Sequence, residues 1–280
     1  MKDYKVAIQG IKGSYHHRVA QLYFNNEDID VEECLSFREL VGCLVSKKHQ
    51  IAVMAIENSI AGSIIPNYAD IDQHNFPIVG EYYLEIHHCL MALKGQTITD
   101  IKEVYSHPMA LLQCKKFFSQ YPHIKLIEDV DTAAISKRIQ DRQLQGVAAI
   151  ASETAAQIYD LEILARDIQT IKENSTRFFI LDTSENSPFL DVEKSNKVSL
   201  KVMCDHKRGS LATVLNVMSD CNLNLTKIQS LPVIEKPWKY AFFIDLTFEA
   251  YTDYQKAISI LEIMALDIKV LGIYPKMNLR

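Results

Sequence analysis

The chain has no apolar run approaching the roughly 20 residues that a membrane-crossing helix needs, so no membrane partner is expected. No basic block accumulates anywhere, and a net charge of −5 argues against a nucleic-acid partner. The N-terminus lacks a long apolar stretch behind positive charge, so no secretory leader is expected and a cytoplasmic location follows. Cysteines 34, 43, 89, 114, 204 and 221 form no C-x-x-C pair, and several lie in apolar periodic segments, which reads as buried reduced thiols. There is no zinc-ligand spacing, no evident phosphate-binding loop, no internal repeat and no low-complexity tract. The doublets His16-His17 and His87-His88 do not replace a metal cluster. Neighbouring side chains point apart, so each doublet is expected to hold one buried and one solvated histidine.

What is present fits a globular small-molecule protein: 280 residues, 48% hydrophobic and 23% charged, long enough for two or three compact units. Lys5–Ile8 reads as a buried strand running into Gly10-Ile11-Lys12-Gly13-Ser14 and then a helix with Val19, Ala20, Leu22 and Tyr23 on one face. A strand at Val31–Leu35 and a helix over Phe37–Val45, capped by Ser36, precede the apolar strand Ile51–Ile56. Such alternation marks a parallel α/β sheet. After Pro77, the long apolar stretch Val79–Leu93 should cross to a second sheet. Three short strands then lead to Ser106, Thr132 and Ser152, each expected to begin a helix. Helix starts expose orphan N–H groups suited to anions. Residues 182–196 read as a linker rich in Ser, Asn, Asp and Glu. Beyond it the order is βαββαβ, a ferredoxin-like small domain ending with the strand Ile268–Tyr274.

Two polar knots at the edges of apolar strands carry the chemistry. Asn174-Ser175-Thr176-Arg177-Phe178-Phe179 sets a hydroxyl beside a guanidinium, a donor next to a planar fork for a carboxylate. Glu57-Asn58-Ser59 ends the Ile51–Ile56 run. The plainer alternatives are a capping carboxylate at Glu57, capping or an exposed polar helix position at Ser106 and Gln113, and an internal ion pair at Arg177.

Together with Gly10-x-x-Gly13-Ser14-Tyr15, Ser106-His107-Pro108-x-Ala110-Leu111-x-Gln113-Cys114, Asp131-Thr132-Ala133-Ala134, Ala148-Ala149-Ile150-Ala151 and Asn224-Leu225-Thr226-Lys227-Ile228, these knots resemble the bacterial prephenate dehydratases with a C-terminal ACT regulatory domain. The resemblance covers nearly the whole chain. It implies an α/β catalytic domain over 1–185, two-lobed like a type II periplasmic binding protein, with lobe one about 1–78 and 165–185 and lobe two about 79–164. An ACT domain over 197–280 would follow. It implies Thr176 as the catalytic hydroxyl and Arg177 as a carboxylate anchor, with Glu57 and Asn58 in the catalytic group. Ser59, Ser106, Gln113, Thr132, Ala133 and Phe178 would contact the substrate prephenate. No cofactor is implied, because the departing hydroxyl accepts the electrons released with CO2. The family's first loop usually has Pro and Phe where Ile11 and Tyr15 stand here, and its backbone is expected to keep facing an anion.

The implied effector is phenylalanine, held by Gly209, Ser210, Leu211, Asn224, Gln229, Ser230, Leu231 and Pro232 in a homo-dimer or homo-tetramer. Here the chain departs from the family pattern, since Gln229 and Leu231 replace the usual Glu and Arg. Two other functions fit the same motifs: arogenate dehydratase, and a two-lobed sensor without turnover.

Overall fold

The computed structural model describes residues 4–25, 29–129, 131–205, 207–233 and 239–277. The first sheet is built from alternating strands and helices: β1 (Tyr4–Gln9), α1 (Tyr15–Tyr23), β2 (Ile29–Cys34), α2 (Phe37–Val45), β3 (Ile51–Asn58), the short β4 (Gly62–Ser63), α3 (Ile65–His74) and β5 (Ile78–Glu85). Its order is β2-β1-β3-β11-β5, with β4 beside β3 and β11 (Ser175–Asp182) returning late in the chain. β1 pairs in parallel with both β2 and β3, as the β–α–β rhythm requires. Ile51 to Ile56 are all buried, which explains the unbroken apolar run: a central strand has no solvent face. Ser36 caps α2 as expected, accepting from the Glu39 N–H at 3.2 Å.

A second sheet takes β6 (Cys89–Ala92), β7 (Glu103–Ser106), β8 (Lys125–Glu128), β9 (Val147–Ala151) and β10 (Glu162–Ala165) in the order β10-β6-β9-β7-β8. Helices α4 (Pro108–Phe118), α5 (Thr132–Arg142) and α6 (Glu153–Ile158) connect them. One face packs on Met91, Ile135, Ile139 and Ala155, the other on Leu90, Val104, Leu111 and Ile150. Of the three expected helix starts, only Ser152 is an N-cap, accepting from Ala155 N–H at 3.1 Å. His107 caps α4, because Pro108 occupies its first turn and Ser106 still belongs to β7. Asp131 caps α5 by accepting from the N–H groups of Ala133 and Ala134 at 2.8 Å each, which makes Thr132 its first helical residue.

The remaining elements are β12 (Lys197–Met203), α7 (Ser210–Asp220), β13 (Asn224–Pro232), β14 (Tyr240–Thr247), α8 (Tyr251–Met264) and β15 (Asp267–Tyr274). They form an antiparallel sheet β13-β14-β12-β15 over a core of Val198, Leu200, Val202, Val214, Ile244 and Leu261. By internal contacts, Met1–Gly62 and Tyr83–Phe178 make one compact unit, and Ser63–Tyr82 and Phe179–Arg280 make the other. Within the second unit α3 and the start of β5 are fastened to the antiparallel sheet. The Tyr68 ring meets Phe243 edge-on at 5.3 Å. Asp72 pairs with both Lys201 and Lys269 at 2.7 Å, and buried Glu81 receives buried Lys197 at 2.7 and 2.9 Å. A Cβ on Gly272 would lie 2.1 Å from the Ile78 carbonyl oxygen, so only glycine lets these backbones approach.

Candidate functional site

β3 changes character at its end: Glu57 and Asn58 follow six buried residues and are only partly covered. β11 begins beside them. Ser59 N–H donates to the Ser175 carbonyl at 2.8 Å, and Ser59 Oγ accepts from Ser175 N–H at 3.0 Å. This register brings the two polar knots together across more than a hundred residues of sequence. Asn58 Nδ2 donates to Thr176 Oγ1 at 2.9 Å and to Asn174 Oδ1 at 2.7 Å. Asn58 Oδ1 accepts from the N–H groups of Ile60 and Ala61, at 3.0 and 2.9 Å, which fixes which way the amide faces. Thr176 Oγ1 therefore accepts from Asn58, and its own proton is directed elsewhere.

Beyond Asn58 the network continues. Asn174, 1% exposed, donates from Nδ2 to Gln113 Oε1 at 3.0 Å. That oxygen also lies 2.9 Å from His88 Nε2. His88 Nδ1 is 3.0 Å from the Tyr15 hydroxyl, which lies 2.9 Å from the His87 carbonyl. Burial lowers the His88 pKa from its usual value, although the Gln113 hydrogen bond works the other way, so the ring is neutral at neutral pH. Burial raises the Tyr15 hydroxyl well above its usual value.

Arg177 is not open to solvent. Its side chain is 2% exposed, with Nη1 3.6 Å from Glu57 Oε1 and the guanidinium 5.7 Å from the Tyr83 ring centre. This geometry includes an ion pair with Glu57, as a guanidinium removed from water needs a carboxylate partner. Phe178 is buried and meets the His16 ring edge-on at 5.0 Å. Ser106 is fully buried and donates to the Ile150 carbonyl at 2.7 Å, holding β7 to β9. Thr132 and Ala133 open α5, whose first N–H groups already have Asp131 as acceptor. Burial raises the Asp131 carboxyl pKa, against the pull of those two N–H donors.

Four N–H groups of the Gly10 to Ser14 loop already have acceptors within the chain. Gly10 N–H donates to the Cys34 carbonyl, Lys12 N–H to Glu33 Oε1, Gly13 N–H to His17 Nδ1 and Ser14 N–H to the Ile11 carbonyl. The same geometry buries both members of the first histidine doublet. His17 turns back to Gly13, and His16 Nε2 accepts from Ala55 N–H at 3.2 Å. Burial lowers the His16 pKa to about 3. The second doublet divides as expected, with His87 exposed and His88 buried.

In the antiparallel sheet region a cavity of about 330 Å³ is lined by Asp205, Lys207, Gly209, Ser210, Leu211 and Tyr240, among others. Gly209 adopts a φ of 84° ahead of α7, which favours glycine. Asn224, Gln229, Ser230, Leu231 and Pro232 lie on β13 and do not line this cavity among the described residues. No group of three or more His, Cys, Asp or Glu side chains among the described residues could hold a metal ion, and no described helix is long and apolar enough to cross a membrane.

The family model described as prephenate dehydratase matches residues 6–186. Arogenate dehydratase/prephenate dehydratase 2, chloroplastic, of Arabidopsis thaliana is 36% identical, over 97% of this chain and 72% of its own length. Among solved structures, the quorum quenching acylase GqqA superposes with a TM-score of 0.87 at 22% identity, over 98% of both chains. A prephenate dehydratase from Arthrobacter aurescens in complex with L-Phe superposes with a TM-score of 0.84 at 22% identity, covering 97% of this chain and 90% of its own. These two likenesses concern the fold.

Proposed function

The chain belongs to the prephenate dehydratase family, and on that premise we propose that Thr176 is the donor to the hydroxyl that leaves prephenate. The observation that carries this reading is the bond from Asn58 Nδ2 to Thr176 Oγ1, which leaves the threonine proton for another acceptor. In the reaction the ring carboxylate departs as CO2, and its bonding electrons enter the diene. The C–O bond at the far end breaks, the ring becomes aromatic, and the released oxygen leaves as water after gaining a proton. Charge grows on that oxygen in the transition state, so a donor placed there in advance accelerates the step. A threonine hydroxyl is a weak acid, so its contribution is a strong hydrogen bond rather than free proton transfer.

We assign the Arg177–Glu57 pair a supporting part: the guanidinium keeps a carboxylate beside the site. Ser59 braces the β3–β11 junction, and Gln113 braces the network from α4. Ser106, Thr132, Ala133 and Phe178 act in this reading by holding the local backbone and packing. A nucleophilic role for Thr176, which acylase chemistry would use, lacks support: a nucleophile needs a neighbouring base to take its proton, and Asn58 offers it a donor. Incubation with prephenate and appearance of phenylpyruvate tests the proposal; absence of product from prephenate and from arogenate overturns it. The Arabidopsis thaliana relative is an arogenate dehydratase as well as a prephenate dehydratase, and phenylalanine formed from arogenate would establish the arogenate alternative here.

For regulation we propose an ACT domain over 197–280, following a catalytic domain over 1–185 with the two lobes given above. It would bind phenylalanine at the Gly209 to Leu211 cavity in a homo-dimer or homo-tetramer. Support comes from the βαββαβ element order, the cavity, and the L-Phe complex of the Arthrobacter aurescens protein. Equilibrium binding of phenylalanine, tyrosine and tryptophan tests it, with phenylalanine expected to bind best; no binding to any leaves the domain a structural role.

A further inference from the structure

We propose that His88 is a positioning residue that anchors the far end of the hydrogen-bond chain reaching the Thr176 hydroxyl. The inference rests on the reading of Thr176 as donor to the leaving oxygen. Between His88 and Thr176 stand the side-chain amides of Gln113, Asn174 and Asn58. An amide has one accepting end and one donating end, so a chain of them closes only if every oxygen meets an N–H. Gln113 Oε1 faces His88 Nε2 at 2.9 Å, which requires that this ring nitrogen carry the proton. The same oxygen takes Asn174 Nδ2, so Asn174 Oδ1 is left to receive Asn58 Nδ2. Asn58 Nδ2 then fills the accepting side of Thr176 Oγ1, and the threonine proton points away from it.

The opposite tautomer would set a lone pair against the Gln113 oxygen. Turning Gln113 to relieve that would put its NH2 against the NH2 of Asn174, and the conflict would pass along the chain. Tyr15 has one proton and two acceptors in reach, the His87 carbonyl at 2.9 Å and His88 Nδ1 at 3.0 Å; with Nε2 of the neutral ring protonated by the demand of Gln113, the Tyr15 proton goes to Nδ1. His88 is further held by its own N–H, which donates to Gln169 Oε1 at 2.9 Å. Amides do not pass protons along such a chain, so the role is orientation and not acid catalysis. Asn58 Oδ1 has independent donors in Ile60 and Ala61. Breaking the His88 end therefore loosens the Thr176 donor without reversing it, and the effect is smaller than deleting the hydroxyl.

The experiment is steady-state turnover of prephenate by Thr176→Ala, His88→Leu, His88→Gln and Tyr15→Phe in the full chain, with nitrogen-15 NMR of the His88 ring in the wild type. Misplacing a reacting donor lowers kcat more than binding, so His88→Leu is expected to lose on the order of 10- to 100-fold in kcat with KM within about twofold. His88→Gln places an amide N–H near the Nε2 position and should recover most of that loss, while Tyr15→Phe should fall between. The ring spectrum should show a proton on Nε2. Wild-type kcat in His88→Leu, a Gln variant no better than Leu, or a proton on Nδ1 would each overturn the proposal. If His88→Leu does not fold, the ring spectrum and the Gln variant decide. Full turnover by Thr176→Ala removes the reading of Thr176 and the positioning role with it. Loss in Thr176→Ala beside an unaffected His88→Leu removes the positioning role alone.

Discussion

The two compact units bury polar groups for different ends. In the first, the groups around Thr176 are mostly neutral amides with one neutral imidazole, and each contributes a direction. In the second, the groups between residues 63–82 and the antiparallel sheet are ions: Glu81 with Lys197, and Asp72 with Lys201 and Lys269. An ion pair attracts over a range of geometries, whereas an amide chain works in one orientation only. The amide chain is therefore suited to aiming a donor, and the ion pairs to fastening one segment to another.

The largest expected effect lies on the fastening side. Lys197→Met leaves Glu81 buried with its lysine gone, and should cost roughly 3–5 kcal/mol of stability by denaturant unfolding. Replacing both partners by apolar residues should restore most of it, since a buried pair is worth little against a well-packed apolar pair. A single variant as stable as the wild type would mean that the pair fastens nothing. On the aiming side, Thr176→Ala should lower kcat by on the order of 10²–10³ with little change in KM and no loss of stability. A nearly unaltered kcat would take Thr176 out of the mechanism.

His16 lies on the first unit's side and gives a smaller, pH-dependent effect. Its folded pKa of about 3 lies below the usual histidine value, so the unfolded chain binds the extra proton first. Its contribution is complete above pH ~6.5 and declines toward pH ~3, at about 1.4 kcal/mol per pH unit. Proton NMR should show a His16 ring that does not titrate between pH 5 and 8; a midpoint in that range contradicts the buried neutral ring. The smallest effect is expected at Asp72. Burial pushes its carboxyl up, but hydrogen bonds from Lys201 and Lys269 outweigh that and leave it below the usual value. It stabilises above the unfolded carboxylate pKa and loses that contribution as pH falls through the folded value. Being partly exposed, Asp72→Asn should cost less than about 1 kcal/mol at neutral pH and flatten the acid limb of the stability profile.

Apolar runs such as Ile51–Ile56 made the central strands legible, and the polar knots at Glu57-Asn58-Ser59 and Asn174-Ser175-Thr176 stand out because polarity breaks those runs. Helix α3 was not foreseen, although Pro66 in its first turn is a start signal, because its apolar residues do not fall cleanly on one face. That four of the Gly10 loop's N–H groups are already taken is something local pattern does not carry. Three of them meet acceptors on β2 and α1 whose approach is decided by packing, and the fourth, from Ser14, meets the Ile11 carbonyl within the loop. The sequence reads Arg177 as a carboxylate anchor with an internal ion pair as the alternative, and its pairing with Glu57 depends on the β3–β11 register, which spacing does not carry. His88 was noted only as half of a doublet. Its place in the chain from Gln113 to Thr176 depends on amide orientations, which leave no trace in spacing.

The order in which the chain is synthesised meets a constraint at Asp72. Its partner Lys269 emerges 197 residues later, and β15, which carries Lys269, closes the sheet that α3 rests on. Helix α3 is made early, between the two halves of the segment that carries the Thr176 network, but its docking surface does not exist until β15 has been made. Residues 63–82 must wait for residues 197–274, with Tyr68 and Ile78 uncovered in the interval. A nascent or truncated chain is thus the form most exposed to aggregation and proteolysis, which makes prompt completion a requirement for yield.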